Sequence, residues 1–306
     1  MGMTLTILGS ASATPTSKNF PTAQLLVIRG RHILIDCGEG TQIQLRKARI
    51  KFSRIDQIYL SHLHGDHFYG LPGLLASFNL LQRKKPLQLF APVGIKAILD
   101  TLFEQTDAHL NYPLTIVELS STLPQVLYED DKIQVQSLPL DHRIYTNGYL
   151  FREKPGLRKL DRAAVARHPE IQFCDYAKFK QGQDFTLESG LRIENKALTQ
   201  DPPAPLSYAF CSDTAYKPDL ADWVRGVTAL YHESTFLERD AALADKTRHS
   251  TPRQAARCAL EAGAHLLLLG HFSARYDDWR AFQMEAETLF RPVRLARPGD
   301  TLSLGR

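Results

Sequence analysis

Apolar residues in the first third of the chain fall into short runs bounded by Gly or Pro, the pattern of strands: Thr4–Leu8, Gln24–Ile28, Arg31–Ile35 and Gln57–Leu60. Helical patterns intervene at Glu39–Lys47, Leu71–Leu81 and Gly94–Gln105. In the second half, strands at Tyr208–Cys211, Ala229–His232 and His265–Gly270 alternate with helices. One of those helices, Pro252–Ala262, has Thr251 at the N-cap position and Gly263 just past its end. Two strand-rich runs, separated and covered by helices, predict an α/β fold. Its expected form is an αββα sandwich, with two sheets in the middle and helices outside.

The stretch 151–193 breaks this rhythm. Eight Lys or Arg lie between Arg152 and Lys180 against four acids, and two short apolar runs flank Glu188-Ser189-Gly190 as a hairpin would. The expectation is a single domain spanning 1–306 that carries an inserted basic arm at 151–193.

Composition narrows the class without choosing a function. An apolar content of 43% and a charged content of 23% over 306 residues are those of a soluble globular protein. The 37 Lys and Arg against 33 Asp and Glu give +4, which permits a polyanionic partner without requiring one. Four scattered cysteines with no C-x-x-C pair argue against a zinc ribbon or a disulfide scaffold and suit a reducing, cytoplasmic setting. No apolar run approaches the ~18 residues of a membrane-spanning helix, so no membrane association is expected.

The chemistry concentrates in Ser61–Gly73, "SHLHGDHFYGLPG". A strand ending at Leu60 delivers this loop to the end of a sheet. His62, His64 and His67 with Asp66 offer imidazole nitrogen and carboxylate oxygen, the donors expected for zinc. Alternation puts His62 and His64 on one side, and a turn at Gly65 swings Asp66 and His67 toward a second ion. Two adjacent ions account for four ligands within six positions, whereas one tetrahedral ion needs only three from the protein. A surface loop of solvated histidines does not account for the ordered H-x-H-x-D-H.

"HLHGDH" resembles the signature of the metallo-β-lactamase fold. The longer "SHLHGDHFYGLPGLL", with "DCGEGTQ" at Asp36–Gln42 before it, is similar to ribonuclease Z, the family of tRNA 3′-processing endonucleases. The likeness runs from "GSASATPT" at Gly9–Thr16 to "GHFSARY" ending at Tyr276, through "LDHRIYTNGY", "FCSDTAY", "HESTF" and "RHST". It implies two zinc ions per subunit, one held by His62, His64 and His142, the other by Asp66, His67 and His271, with Asp213 bridging them. It further implies attack on a precursor tRNA phosphodiester by a metal-bound hydroxide, leaving a tRNA 3′-hydroxyl and a 5′-phosphorylated trailer.

The leaving oxygen needs a proton, and the resemblance offers His249 as general acid with Glu233 orienting it. By residue type alone, His249 is also compatible with a structural place beside the helix that starts at Thr251. Asp66 combines metal binding with proton handling as a further catalytic candidate. The insertion stands where the family carries a tRNA-binding arm, which implies an exosite for precursor tRNA and a homodimer. Its tip departs from the family's Gly-Pro-rich pattern, reading "HPEIQFCDYAKFKQGQDF", so no contact residues carry over. Two rivals remain: a hydrolase of a small phosphodiester or other small substrate on the same fold, and a catalytically dead RNA-binding scaffold. The scaffold would lack a ligand, and none of the seven is missing.

Overall fold

The computed structural model describes residues 2–17 and 19–305. The chain runs β1 (Met3–Gly9), β2 (Ala11–Ser12), β3 (Ala23–Ile28), β4 (Arg31–Ile35), α1 (Thr41–Lys47), β5 (Ile55–Tyr59), α2 (Gly65–Phe68), α3 (Leu71–Leu80), β6 (Leu87–Pro92), α4 (Ile95–Gln105), β7 (Leu114–Leu119), β8 (Gln125–Glu129), β9 (Ile133–Pro139) and β10 (Asn147–Glu153). Short elements follow: β11 (Lys159–Leu160), α5 (Arg162–Val165), α6 (Tyr176–Lys180), β12 (Phe185–Thr186), β13 (Arg192–Ile193), α7 (Asn195–Leu198) and β14 (Thr199–Gln200). The last part is β15 (Ser207–Cys211), α8 (Asp219–Trp223), β16 (Ala229–Glu233), α9 (Ala241–Thr247), α10 (Pro252–Ala262), β17 (Leu267–Gly270), β18 (Phe272–Ser273), α11 (Arg280–Ala286), β19 (Val293–Leu295) and β20 (Thr301–Leu304).

Two seven-stranded sheets form the centre, in the orders β20-β1-β3-β4-β5-β6-β7 and β19-β17-β16-β15-β10-β9-β8. Side-chain alternation along each strand decides which layer a residue enters. In β3, Leu26 joins the core between the sheets while Leu25 packs outward with helix residues Leu45, Leu71 and Leu74. In β16, Tyr231 faces the inter-sheet core and Leu230 packs outward with Ala255, Ala259 and Phe282. The fold is therefore the αββα sandwich that the sequence predicts. The Pro252–Ala262 helix begins with a capping box, Thr251 accepting from Gln254 N–H, and ends at Gly263 with φ +61°.

The chain divides into two compact units, one of residues 1–129, 133–152 and 206–306, the other of 130–132 and 153–205. The sandwich and every candidate site residue named above belong to the first. In the second unit, Val165, Phe179, Ile193 and Leu198 form a small core of their own. Phe151 and Arg152 are part of β10 rather than of this unit, which continues past 193 to Pro205. Its cationic surplus lies between 154 and 180. Acids elsewhere balance it, for the unit as a whole holds ten Lys or Arg and ten Asp or Glu.

Candidate metal centre

The seven residues implied as ligands span 209 positions, from His62 to His271, yet the strand ends of the first unit bring them together. The loop after β5 supplies His62 and His64. It then closes into the single turn α2, which carries Asp66 and His67. His142 follows β9, Asp213 follows β15 and His271 follows β17. Asp213 and His271 sit in the left-handed region, at φ +53° and +60°, as do Asp36 at +56° and Arg248 at +60°. Non-glycine residues enter this region at a cost of about 1–3 kcal/mol each, so such clustering marks a constrained site.

Two donor sets result. His62, His64, His142 and Asp213 form one, and Asp66, His67 and His271 the other. In the first, His62 Nε2 lies 2.9 Å from His64 Nδ1, which is 3.4 Å from His142 Nε2. Tetrahedral ligands bonded at 2.0–2.1 Å stand about 3.4 Å apart, so this spacing fits one ion. In the second, His67 Nε2 and His271 Nε2 are 3.4 Å apart and lie 3.5 and 3.6 Å from Asp66 Oδ2. Asp213 joins the sets. Its Oδ2 faces His62 and His142 at 3.7 and 3.9 Å, and its Oδ1 lies 3.2 Å from both His67 and His271.

The outer nitrogens of four of these five rings are already committed, which turns their lone pairs inward. His67 Nδ1 donates to Asp36 Oδ2 at 2.7 Å, and His142 Nδ1 donates to the Arg248 carbonyl at 2.9 Å. His271 Nδ1 is 2.8 Å from Thr235 Oγ1, and His62 Nδ1 is 3.0 Å from Ser61 Oγ. Asp66 Oδ2 also accepts the Ala13 N–H at 2.8 Å. The donor chemistry thus fits two cations of the zinc type.

Electrostatics agree. Burial, and then the neighbouring rings, hold His62 below the ordinary imidazole range, and burial does the same to His64 and His142. All three are therefore neutral donors. At Asp213 burial opposes ionisation, but His271 and His67 outweigh it and hold the carboxyl well below its usual value. Asp66 is held low in the same way by His67 and His271. Burial alone would lower His67, but Asp213, Asp66 and Asp36 around it push it well above its usual value. So many carboxylates around one buried ring make a site that gains from a bound cation.

His249 and Glu233 stand beside this centre. Glu233 is fully buried; its Oε1 accepts from His249 Nδ1 at 2.7 Å and from Thr214 N–H at 2.9 Å, and its Oε2 from the Thr235 N–H at 3.0 Å and hydroxyl at 2.6 Å. Burial disfavours charge on His249, yet Glu233 raises its pKa to about 9. The His249 ring centroid is 5.0 Å from that of His142 and 5.4 Å from that of His271. Asp213, His249 and His271 also form a possible ligand trio. His232 is buried away from all of these sets, its Nδ1 bonded to the Glu233 carbonyl.

Three supporting residues escaped the sequence reading. Asp36 accepts from Ser61 N–H at 2.7 Å, Ser61 Oγ at 2.9 Å and His67 Nδ1. Ser61 and Thr235 are the other two, Thr235 linking Glu233 to His271. Asp36 opens the matched stretch "DCGEGTQ" and directly follows the strand "HILI", the two signals that could have singled it out.

Comparison with known proteins follows the same line. A family model described as "Anti-Pycsar protein Apyc1" matches residues 3–136. Ribonuclease Z of Bacteroides fragilis is 41% identical over 300 residues, 98% of each chain, and that of Porphyromonas gingivalis W83 is 41% identical over 287 residues, 94% of each. Among solved structures, the short form of human tRNase Z is 25% identical, with a TM-score of 0.73 over 99% of this chain and 100% of that one. The metallo-β-lactamase-fold protein YhfI of Bacillus subtilis, at 17% identity and a TM-score of 0.68, shares the fold. With this identity over nearly its whole length, the chain belongs to the ribonuclease Z family of metal-dependent hydrolases.

Proposed function

We propose that the chain is an endoribonuclease that removes the 3′ trailer of precursor tRNA, using two zinc ions per subunit. The observation that carries this reading is the pair of donor sets joined through the two oxygens of Asp213. His62, His64 and His142 would hold one ion, and Asp66, His67 and His271 the other. Bound there, the ions would supply a nucleophile from water near neutral pH and offset the charge of a phosphodiester. His249, oriented by Glu233, would donate a proton to the departing 3′-oxygen. Asp66, whose Oδ2 is fixed by the Ala13 N–H, would hold its ion and accept a proton from the attacking water.

The second unit is the candidate tRNA exosite. Its support is the cationic run 154–180 together with Phe173, which is 85% exposed and available for stacking on RNA. A homodimer belongs to the same reading. In its favour, Ile43, Tyr69, Leu80 and Leu81 around α1 and α3 are more than half exposed, an apolar surface that a second copy would cover. The setting is the cytoplasm, with the RNA substrate; no helix among the described residues is long and apolar enough to cross a membrane.

The test is cleavage of an end-labelled precursor tRNA by zinc-loaded protein, chelated protein and Asp66→Ala. One cut at the trailer junction, lost in the latter two, supports the reading. Hydrolysis of bis(p-nitrophenyl) phosphate without precursor cleavage would favour the second reading, a small-phosphodiester hydrolase.

A further inference from the structure

Tyr231 carries a hydroxyl that the site described above does not use. It stands on β16, the strand between β15 and β17, where it pairs with Phe210 on one side and Leu268 on the other. Its ring is fully buried in the inter-sheet core and stacks on Phe210 at a centroid distance of 5.0 Å. Side chains lean along a strand, and this one reaches past both partners toward the strand ends. There a Cβ on Gly270 would collide with its hydroxyl, and the Ser212 side chain lies beside it. Gly270 precedes His271, and Ser212 precedes Asp213. The oxygen thus sits beneath two of the seven candidate ligands at once, and the carboxylates acting on it most are Asp213 and then Asp36. No hydrogen bond satisfies it among the described residues. Burying a phenol hydroxyl in this way is unfavourable, and phenylalanine would fill the same space without that cost.

Ser212 supplies the connection to the metal centre. It is fully buried, and its Oγ donates to Asp213 Oδ1 at 2.8 Å. That is the oxygen 3.2 Å from Nε2 of both His67 and His271, whereas Oδ2 faces His62 and His142. A carboxylate oxygen accepts along two lone pairs. With one taken by Ser212, Oδ1 has one left for the ion of the His67 and His271 set. The backbone of this loop is latched independently of Ser212. Thr214 N–H donates to Glu233 Oε1 at 2.9 Å, and Ser250 Oγ donates to the Thr214 carbonyl at 2.7 Å. What the Ser212 hydroxyl controls is therefore the rotation of the Asp213 carboxylate.

Resting on the two-ion reading above, we propose that Ser212 and Tyr231 are positioning residues for the bridging carboxylate. Ser212 holds Asp213 Oδ1 toward the ion of Asp66, His67 and His271, and Tyr231, donating to Ser212 Oγ, orients that hydroxyl. Hydrogen bonds linked in series strengthen one another. Without them, Asp213 is free to turn both oxygens onto the ion of His62, His64 and His142, whose other ligands stay in place.

The experiment equilibrates wild type, Ser212→Ala, Tyr231→Phe and the double variant with zinc buffered at graded free concentrations and counts the bound zinc by elemental analysis. Ser212→Ala should take up the first equivalent as the wild type does and the second about 10–100-fold more weakly. Tyr231→Phe should weaken the second equivalent by about 2–10-fold, the contribution of one hydrogen bond. Because Tyr231 acts through Ser212, the double variant should bind no more weakly than Ser212→Ala. Tyr231→Phe keeps the ring that stacks on Phe210, so the melting temperature of its metal-free form should not fall, which separates lost positioning from a damaged core. Wild-type affinity for both equivalents in Ser212→Ala, or an equal loss at both, would overturn the proposal. Wild-type binding by Tyr231→Phe, or losses that add in the double variant, would overturn the part assigned to Tyr231. A wild type that takes up fewer than two equivalents would instead remove the two-ion reading, and this proposal with it. None of these outcomes depends on RNA cleavage, so failure of the ribonuclease reading is scored separately.

Discussion

Asp36→Asn is the most informative single change, because it alters one atom and leaves the shape intact. Asp36 accepts Ser61 N–H through Oδ1, and through Oδ2 it accepts Ser61 Oγ and His67 Nδ1. An asparagine amide group placed at Oδ1 would clash with the Ser61 N–H, so it takes the Oδ2 place and donates to His67 Nδ1. The ring must then carry its proton on Nε2, the atom 3.2 Å from Asp213 Oδ1, and point a hydrogen where a lone pair is needed. Loss of such a supporting partner lowers metal affinity by about 10–100-fold. The mismatched buried hydrogen bond costs about 1–3 kcal/mol of stability in the metal-free protein. The effect should be largest at the ion held by Asp66, His67 and His271, because Asp36 bonds to His67 directly and reaches His62 of the other set only through Ser61 Oγ. The assay is elemental analysis after dialysis against zinc buffered at graded free concentrations. The wild type should bind two equivalents where the variant binds one. A folded variant that holds both ions with wild-type affinity would refute this account of His67.

Other changes separate the remaining roles. His249→Ala should lower kcat by about 10²–10⁴ while both ions stay bound, as elemental analysis would show; loss of an ion would make His249 a ligand instead. Chelation should lower the melting temperature, since zinc at about 1,000 times its Kd contributes about 4 kcal/mol, and calorimetry with and without chelator reads this directly. Thr251→Ala removes the α10 cap and should cost about 1 kcal/mol in denaturant unfolding, with kcat unchanged.

Most of the sandwich is legible in the sequence because its central strands are buried on both faces and read as apolar runs. Arg31–Ile35 and Pro252–Ala262 match the expected bounds. β7 and β8 lie at the ends of their sheets with half-exposed, mixed patterns, so periodicity alone does not pick them out. The loop at 61–67 was also legible, because H-x-H-x-D-H needs no partner from elsewhere to suggest chemistry. Its geometry was not. His62 and His64 converge from beyond the end of β5 rather than by alternation within it, and Asp66 and His67 turn inward on the short helix α2. Asp36 and Thr235 stayed hidden for a different reason. Their significance lies in hydrogen bonds to His67 and His271, residues 31 and 36 positions away, and only strand order makes those neighbours.

The central claim is that two ions sharing Asp213 cut RNA. Its most direct test is a titration of metal-free protein with zinc, followed by cleavage of an end-labelled precursor tRNA at each addition. The account predicts that activity reaches its maximum at two equivalents per chain and that the tRNA product ends in a 3′-hydroxyl. Full activity at one equivalent, or no cleavage at two, would contradict it.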